Sequence, residues 1–168
     1  MSPLTLTTRR QRLAYALVAF GVWDIFYYVW LKVLTGWPHS LLDWDVLFLI
    51  PLPWWGPVLA PVLISLLMIT WGTLTAQTNP AVLISGQDRK FWVLNLTGVT
   101  LALYVFMTDA LRVMSGGERA LRALLPTSFN WPLFLVALGL MAAPVVNMLR
   151  MRKSTWSPAL APKSALTL

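Results

Sequence analysis

Four stretches of this chain, 13–34, 58–76, 91–113 and 130–149, are each apolar over about the length of a membrane-crossing helix. A hydrocarbon layer of about 30 Å takes about 20 helical residues. Nothing else in the sequence limits the fold so strongly. Backbone inside a bilayer must satisfy its own hydrogen bonds, which leaves helices or closed barrels, and runs of this length select helices. The composition agrees, with 58% of the 168 residues hydrophobic and 11% charged. Soluble domains average about 45–50% and about 25%. The expected fold is an all-α integral membrane protein, a bundle of four transmembrane helices. One domain, 13–153, is flanked by a basic N-terminus, 1–12, and a flexible polar tail, 154–168.

The first run is too long and too aromatic for a signal peptide, and no small-residue cleavage site follows it, so it reads as a retained helix. Four spans place both termini on one side. With the N-terminus inside, nine of the thirteen basic residues lie inside: Arg9, Arg10, Arg12, Arg89, Lys90, Arg150, Arg152, Lys153 and Lys163. Lysine and arginine favour the cytoplasmic side. The chain is therefore expected as a multi-pass protein of the cell inner membrane with both termini cytoplasmic. The formal charge of +7 is explained by this topology and implies no nucleic acid partner.

Absences narrow the chemistry. The chain has no cysteine, which excludes disulfides, thiol redox chemistry and iron–sulfur ligation. A single histidine excludes haem held by two histidines of one chain. No nucleophile motif, Walker loop, dinucleotide fingerprint or metalloprotease helix is present. Asn79-Pro80-Ala81 matches an aquaporin signature in one copy on four spans, and reads as a turn. Asn95-Leu96-Thr97 matches a glycosylation acceptor but falls inside the third run. Leu121, Leu124 and Leu125 opposite Arg119 and Arg122 suggest a short amphipathic surface helix between the last two spans.

Five of the six acids, Asp24, Asp43, Asp45, Asp109 and Glu118, fall at mid-membrane or towards the outer face, as does His39. Polar chemistry in this chain leans outward. Asp24, in the middle of the first run, carries a penalty of at least about 2.5–3.5 kcal/mol if charged and unpartnered. Tyr28 and Lys32 share its helical face, and Thr100 and Tyr104 fall at a similar depth. Asp24 with Tyr28 is thus the candidate catalytic or proton-accepting pair. The alternative is a helix–helix hydrogen bond that fixes packing.

The stretch 41–61 is the least regular. Its segment 41–50 is expected either as a short helix lying flat at the outer interface or, over 46–50, as a half-helix re-entering the membrane, with "PLPWWGP" returning to the surface. Pro57 is expected at the first position of the second span. His39, Asp43 and Asp45 are weak metal candidates, since His39 and Asp43 stand four apart; the plainer reading makes Asp43 a helix cap. Trp37, Trp44, Trp54 and Trp55 fit an aromatic belt. They are also candidate ligand residues for a quinone, lipid or pigment. Gly139 and Ala143 form a small-xxx-small pair that marks a close helix contact, to this chain or to another protomer.

The sequence alone thus supports an accessory or scaffolding component of a membrane complex, without enzymatic activity. Two alternatives stand beside it. One is a small membrane enzyme or carrier opening outward over Asp24. The other is a binder of a hydrophobic small molecule at the tryptophan-rich outer element.

Overall fold

The computed structural model describes residues 9–50, 52–78, 89–117 and 128–155. It is mostly helical, with α1 (Arg9–Thr35), a hairpin of β1 (Trp44–Phe48) and β2 (Trp54–Pro57), α2 (Leu59–Gln77), α3 (Arg89–Val113) and α4 (Trp131–Thr155). A single 3-10 turn, Met114–Gly116, follows α3. Four helices are long and apolar enough to cross a membrane. Each overlaps one of the four apolar runs. The expected amphipathic helix at 119–125 and the turn at 79–81 lie outside the described residues; of the tail expected from 154, residues 154–155 continue the last helix and the rest lies outside the described residues.

The helices alternate in direction and form two antiparallel pairs. α1 packs along α2, and α3 along α4. Glycines let each pair close. A Cβ on Gly72 would stand 2.6 Å from the Ala14 carbonyl oxygen, and one on Gly21 2.8 Å from that of Ser65. In the second pair, a Cβ on Gly98 would stand 2.6 Å from the Ala137 carbonyl oxygen. Such close approach is how helices gain dispersion contacts where lipid removes the hydrophobic drive to associate. Among the described residues the expected contact glycine, Gly139, makes no such close approach. It is exposed, and no atom lies within 4 Å of where its Cβ would be.

The two pairs meet along a thinner seam between α2 and α4. At one end Leu74 packs on Val145 and Met148, and the Thr75 hydroxyl donates to the Met148 sulfur at 3.8 Å. At the other end Ala60, Ala102, Val105, Phe106, Phe134 and Ala137 are buried together with Met141. Phe106, Phe129, Trp131 and Phe134 form an aromatic cluster there, with ring centroids 4.9 to 5.9 Å apart. Arrangements of tilted and edge-on rings suit the ring quadrupoles.

The element between α1 and α2 is neither the flat helix nor the re-entrant half-helix expected over 41–50. It is an antiparallel hairpin, with Trp44 opposite Pro57, Asp45 opposite Gly56, Val46 opposite Trp55 and Phe48 opposite Trp54. The register shifts between Val46 and Phe48, so the expected all-α fold contains a small two-stranded sheet. The physical reason lies in the residues. Trp-Asp-Val-Leu-Phe and Trp-Trp-Gly-Pro are aromatic or β-branched at most positions, which suits a pleated surface. Proline removes the backbone donors a helix would need. Pro57 accordingly ends β2, and the helix begins two residues later at Leu59. The hairpin is held against α2 by two backbone bonds, Val58 N–H to Asp43 C=O at 3.0 Å and Leu59 N–H to Leu41 C=O at 2.7 Å.

Candidate functional site

Asp24 does not pair with Tyr28. Gly21, one turn earlier, brings α1 against α2 at Ser65, and the Ser65 hydroxyl donates to Asp24 Oδ2 at 2.7 Å. Ser65 is buried, at 2% exposure. Tyr28 instead reaches the hairpin and donates to Asp45 Oδ2 at 2.9 Å, while Asp45 Oδ1 accepts the Val46 N–H at 2.8 Å. Lys32, on the same face, turns to the Gly36 carbonyl oxygen at 3.1 Å. The Gly36 N–H bonds the Lys32 carbonyl, and its positive φ of 76° closes the helix end. Thr100 bonds back to the Leu96 carbonyl, and Tyr104 is half exposed. Asp24, Tyr28 and Lys32 thus each have a separate structural partner. Through Asp24 and Tyr28 they form a ladder that ties α1 to α2 and to the hairpin.

The loop after α1 is similarly divided. Asp43 caps its own turn: Oδ1 accepts the Ser40 hydroxyl at 2.8 Å and Oδ2 accepts the His39 N–H at 2.7 Å. These two bonds hold the Asp43 carboxyl below the usual carboxylate range. His39 Nδ1 lies 3.5 Å from Asp43 Oδ2, with its side chain largely in solvent. Asp45 faces Tyr28 instead, and among the described residues no group of three potential metal ligands converges. The candidate tryptophans do not gather into one box either. Trp37 meets Tyr28, Trp44 meets Phe129 and Trp54 meets Phe48. Trp54 and Trp55, on opposite faces of β2, each bury an indole N–H that has no partner among the described residues.

A cavity lies elsewhere, away from Asp24 and the loop. α1 makes no contact with α3 comparable to those within the pairs, and a groove of about 370 Å³ runs between them over α2 and α4. Its size falls within the range of about 300–1,000 Å³ typical of small-molecule sites. Leu13 and Leu17 form one wall, and Trp92, Val99, Leu103 and Phe106 the other. Ile64, Leu67, Met68, Trp71, Met141 and Pro144 form the floor, with Trp54 at the hairpin end. From Trp92 to Phe106 the α3 wall rises by about 21 Å. Apart from indole N–H groups, the polar side chain among its described lining residues is Asn95, whose Nδ2 donates to the Met141 carbonyl at 3.0 Å. That bond leaves Oδ1 as the groove's side-chain acceptor. Trp71 and Trp92 meet edge to face at 6.2 Å at the same end.

Of the candidate site residues named from the sequence, Trp54 alone is among the described residues that line this groove. Asn95 belonged to a discarded glycosylation motif, and Trp71, Trp92 and Leu103 carried no signal beyond apolar character. The fold and groove define a class: a small protein of four candidate membrane-crossing helices in two pairs, with an apolar cleft between the pairs. No protein family matches the chain, and neither does any curated protein or solved structure.

Proposed function

We propose that this protein is a multi-pass membrane protein, with both termini cytoplasmic, that binds an apolar chain-bearing molecule of the bilayer in the groove between α1 and α3. The groove itself carries the reading: it is elongated, lies along the helices and is walled by aliphatic and aromatic side chains. This relocates the hydrophobic-ligand hypothesis from the outer tryptophans to the cleft, of which Trp54 is the shared member. The ladder Asp24–Ser65 and Tyr28–Asp45 supports a packing role for Asp24 rather than catalysis. It holds α1 in place as one wall.

The test is photolabelling in nanodiscs with a phospholipid carrying a diazirine in mid-chain. Peptides containing Trp71, Trp92 and Leu103 should be labelled above those of the exposed α1 residues Phe20, Trp23 and Trp30. Leu103→Trp, which fills the groove, should reduce the groove labelling several-fold and leave α1 labelling unchanged. Equal labelling of both surfaces would sink the proposal.

A second reading, an accessory subunit or homo-oligomer, has one observation in its favour. Gly139 leaves a bare strip on α4 beside the exposed Leu135, Val136 and Val146. Gly139→Leu would disperse an assembly that uses this strip, as read by mass in detergent.

A further inference from the structure

The groove has two unlike ends. Towards Phe106 it is lined by that ring and by Trp54 of the hairpin. Towards Trp92 it runs out where α1 and α3 begin, at Arg9 and Arg89. Helical spacing extends each wall one turn beyond its last lining residue. Arg9 stands four residues before Leu13, and Arg89 three before Trp92, so both arginines continue the groove-facing sides. Both are exposed. Among the described residues this end of the bundle also carries Arg10, Arg12, Lys90, Arg150 and Arg152; Asp88, the acid next to Arg89 in the sequence, lies outside them. The groove's polar side-chain atoms show the same gradient. Trp71, Trp92 and Asn95 lie at this end, whereas at the other only Trp54 has a polar atom, and its N–H is buried.

We infer that the groove's occupant is an amphiphile with an anionic phosphate head, held between Arg9 and Arg89, with one chain lying along the cleft towards Phe106. The inference rests on the groove reading above and names the ligand's chemistry. Arginine is suited to phosphate because its planar fork can donate two parallel hydrogen bonds to the oxygens. Indoles and the Asn95 carboxamide suit the zone just below, where ester and hydroxyl groups meet hydrocarbon. Basic residues at helix ends also follow from topology alone. What separates the two explanations is position: Arg9 and Arg89 continue the groove walls, whereas Arg150 follows Val146 by one turn on the exposed side of α4.

The experiment uses the full chain in phosphatidylcholine nanodiscs and the same diazirine lipid. Unlabelled phosphatidylglycerol, phosphatidylcholine or inorganic phosphate competes for the groove label. A basic residue near an anionic head contributes about a fivefold gain in affinity. Phosphatidylglycerol should therefore displace the label about tenfold or more better than phosphatidylcholine. Arg9→Gln and Arg89→Gln should each reduce that preference about fivefold, and Arg150→Gln should leave it unchanged. Inorganic phosphate should displace little, because it lacks the chain. Groove labelling with no preference between heads, or an equal loss in Arg150→Gln, would overturn the anionic head while leaving the groove reading intact. Displacement by phosphate as effective as by lipid would make this a free-anion site and overturn the amphiphile. No groove labelling would remove both readings.

Discussion

Replacing Gly98 by alanine probes the contact on which the α3–α4 pair is built. The new Cβ would stand 2.6 Å from the Ala137 carbonyl oxygen and 2.8 Å from both the amide nitrogen and Cγ of Met141. Ordinary contact begins at 3.4 Å. Two of these three neighbours are backbone atoms, so no side-chain rotation relieves the clash. The helices must part by about 0.8 Å, because close-packed interiors transmit such strain rather than absorb it. The Asn95 bond to Met141, now 3.0 Å, would stretch to about 3.8 Å, outside hydrogen-bonding range. Overpacking costs about 1–3 kcal/mol, and an interhelical hydrogen bond in a membrane protein contributes about 0.6 kcal/mol, so the expected loss is about 2–4 kcal/mol. The assay is equilibrium unfolding in mixed micelles of mild and denaturing detergent, followed by circular dichroism. Gly139→Ala is the control, since nothing lies within 4 Å of its Cβ position; it should change stability by less than about 0.5 kcal/mol. If the two variants are equally stable, the close α3–α4 approach is refuted.

Ser65→Ala removes the donor to Asp24 and should destabilise by about 1–3 kcal/mol in the same unfolding assay. Asp24→Asn keeps an acceptor oxygen and should cost less, so the reverse order would argue against the Asp24–Ser65 bond. Tyr28→Phe unties the hairpin from α1. A bond to a charged group is worth about 1.5–3 kcal/mol, so amides of 44–48 should exchange at least about tenfold faster while those at the centre of α1 keep their protection; unchanged exchange would show that the tie is idle. Asp43 has a depressed folded-state pKa. Its turn-stabilising contribution is therefore complete above the ordinary aspartate value of 3.8 and fades as pH falls through the lower folded value. The amide resonances of His39 and Ser40 should titrate below pH 3.8, and a midpoint at or above it would contradict the two-bond cap.

The four long helices were legible because 3.6-residue geometry and apolar length are local properties of sequence. The hairpin was not, because a short apolar run such as Val46 to Ile50 fits a strand or a helix piece by periodicity alone. The partner strand Trp-Trp-Gly-Pro, with its proline and glycine, reads as loop. Asp24 was legible as a residue needing a partner, but the partner was not. Ser65 is one hydroxyl in an apolar run, and only the rotation of α2 against α1, set by Gly21 and Gly72, selects it over Tyr28. The groove left the least local trace. Its lining comes from four helices and a strand, and its existence depends on the gap between α1 and α3. Gly139 shows the converse: a recognisable small residue that, among the described residues, meets no close neighbour.

The two bonds from the hairpin to α2 bear on where that helix is able to begin. A helix start leaves its first amides without partners, and a polar side chain or water usually supplies them. α2 has no side-chain cap. Carbonyls of Asp43 and Leu41 take the amides of Val58 and Leu59, and Pro61 has none to satisfy. The hairpin thereby does the work of solvent. α2 can start beneath an apolar surface, with Val58 and Ala60 fully buried. Backbone carbonyls thus take part of the role that water or a side chain plays at other helix starts.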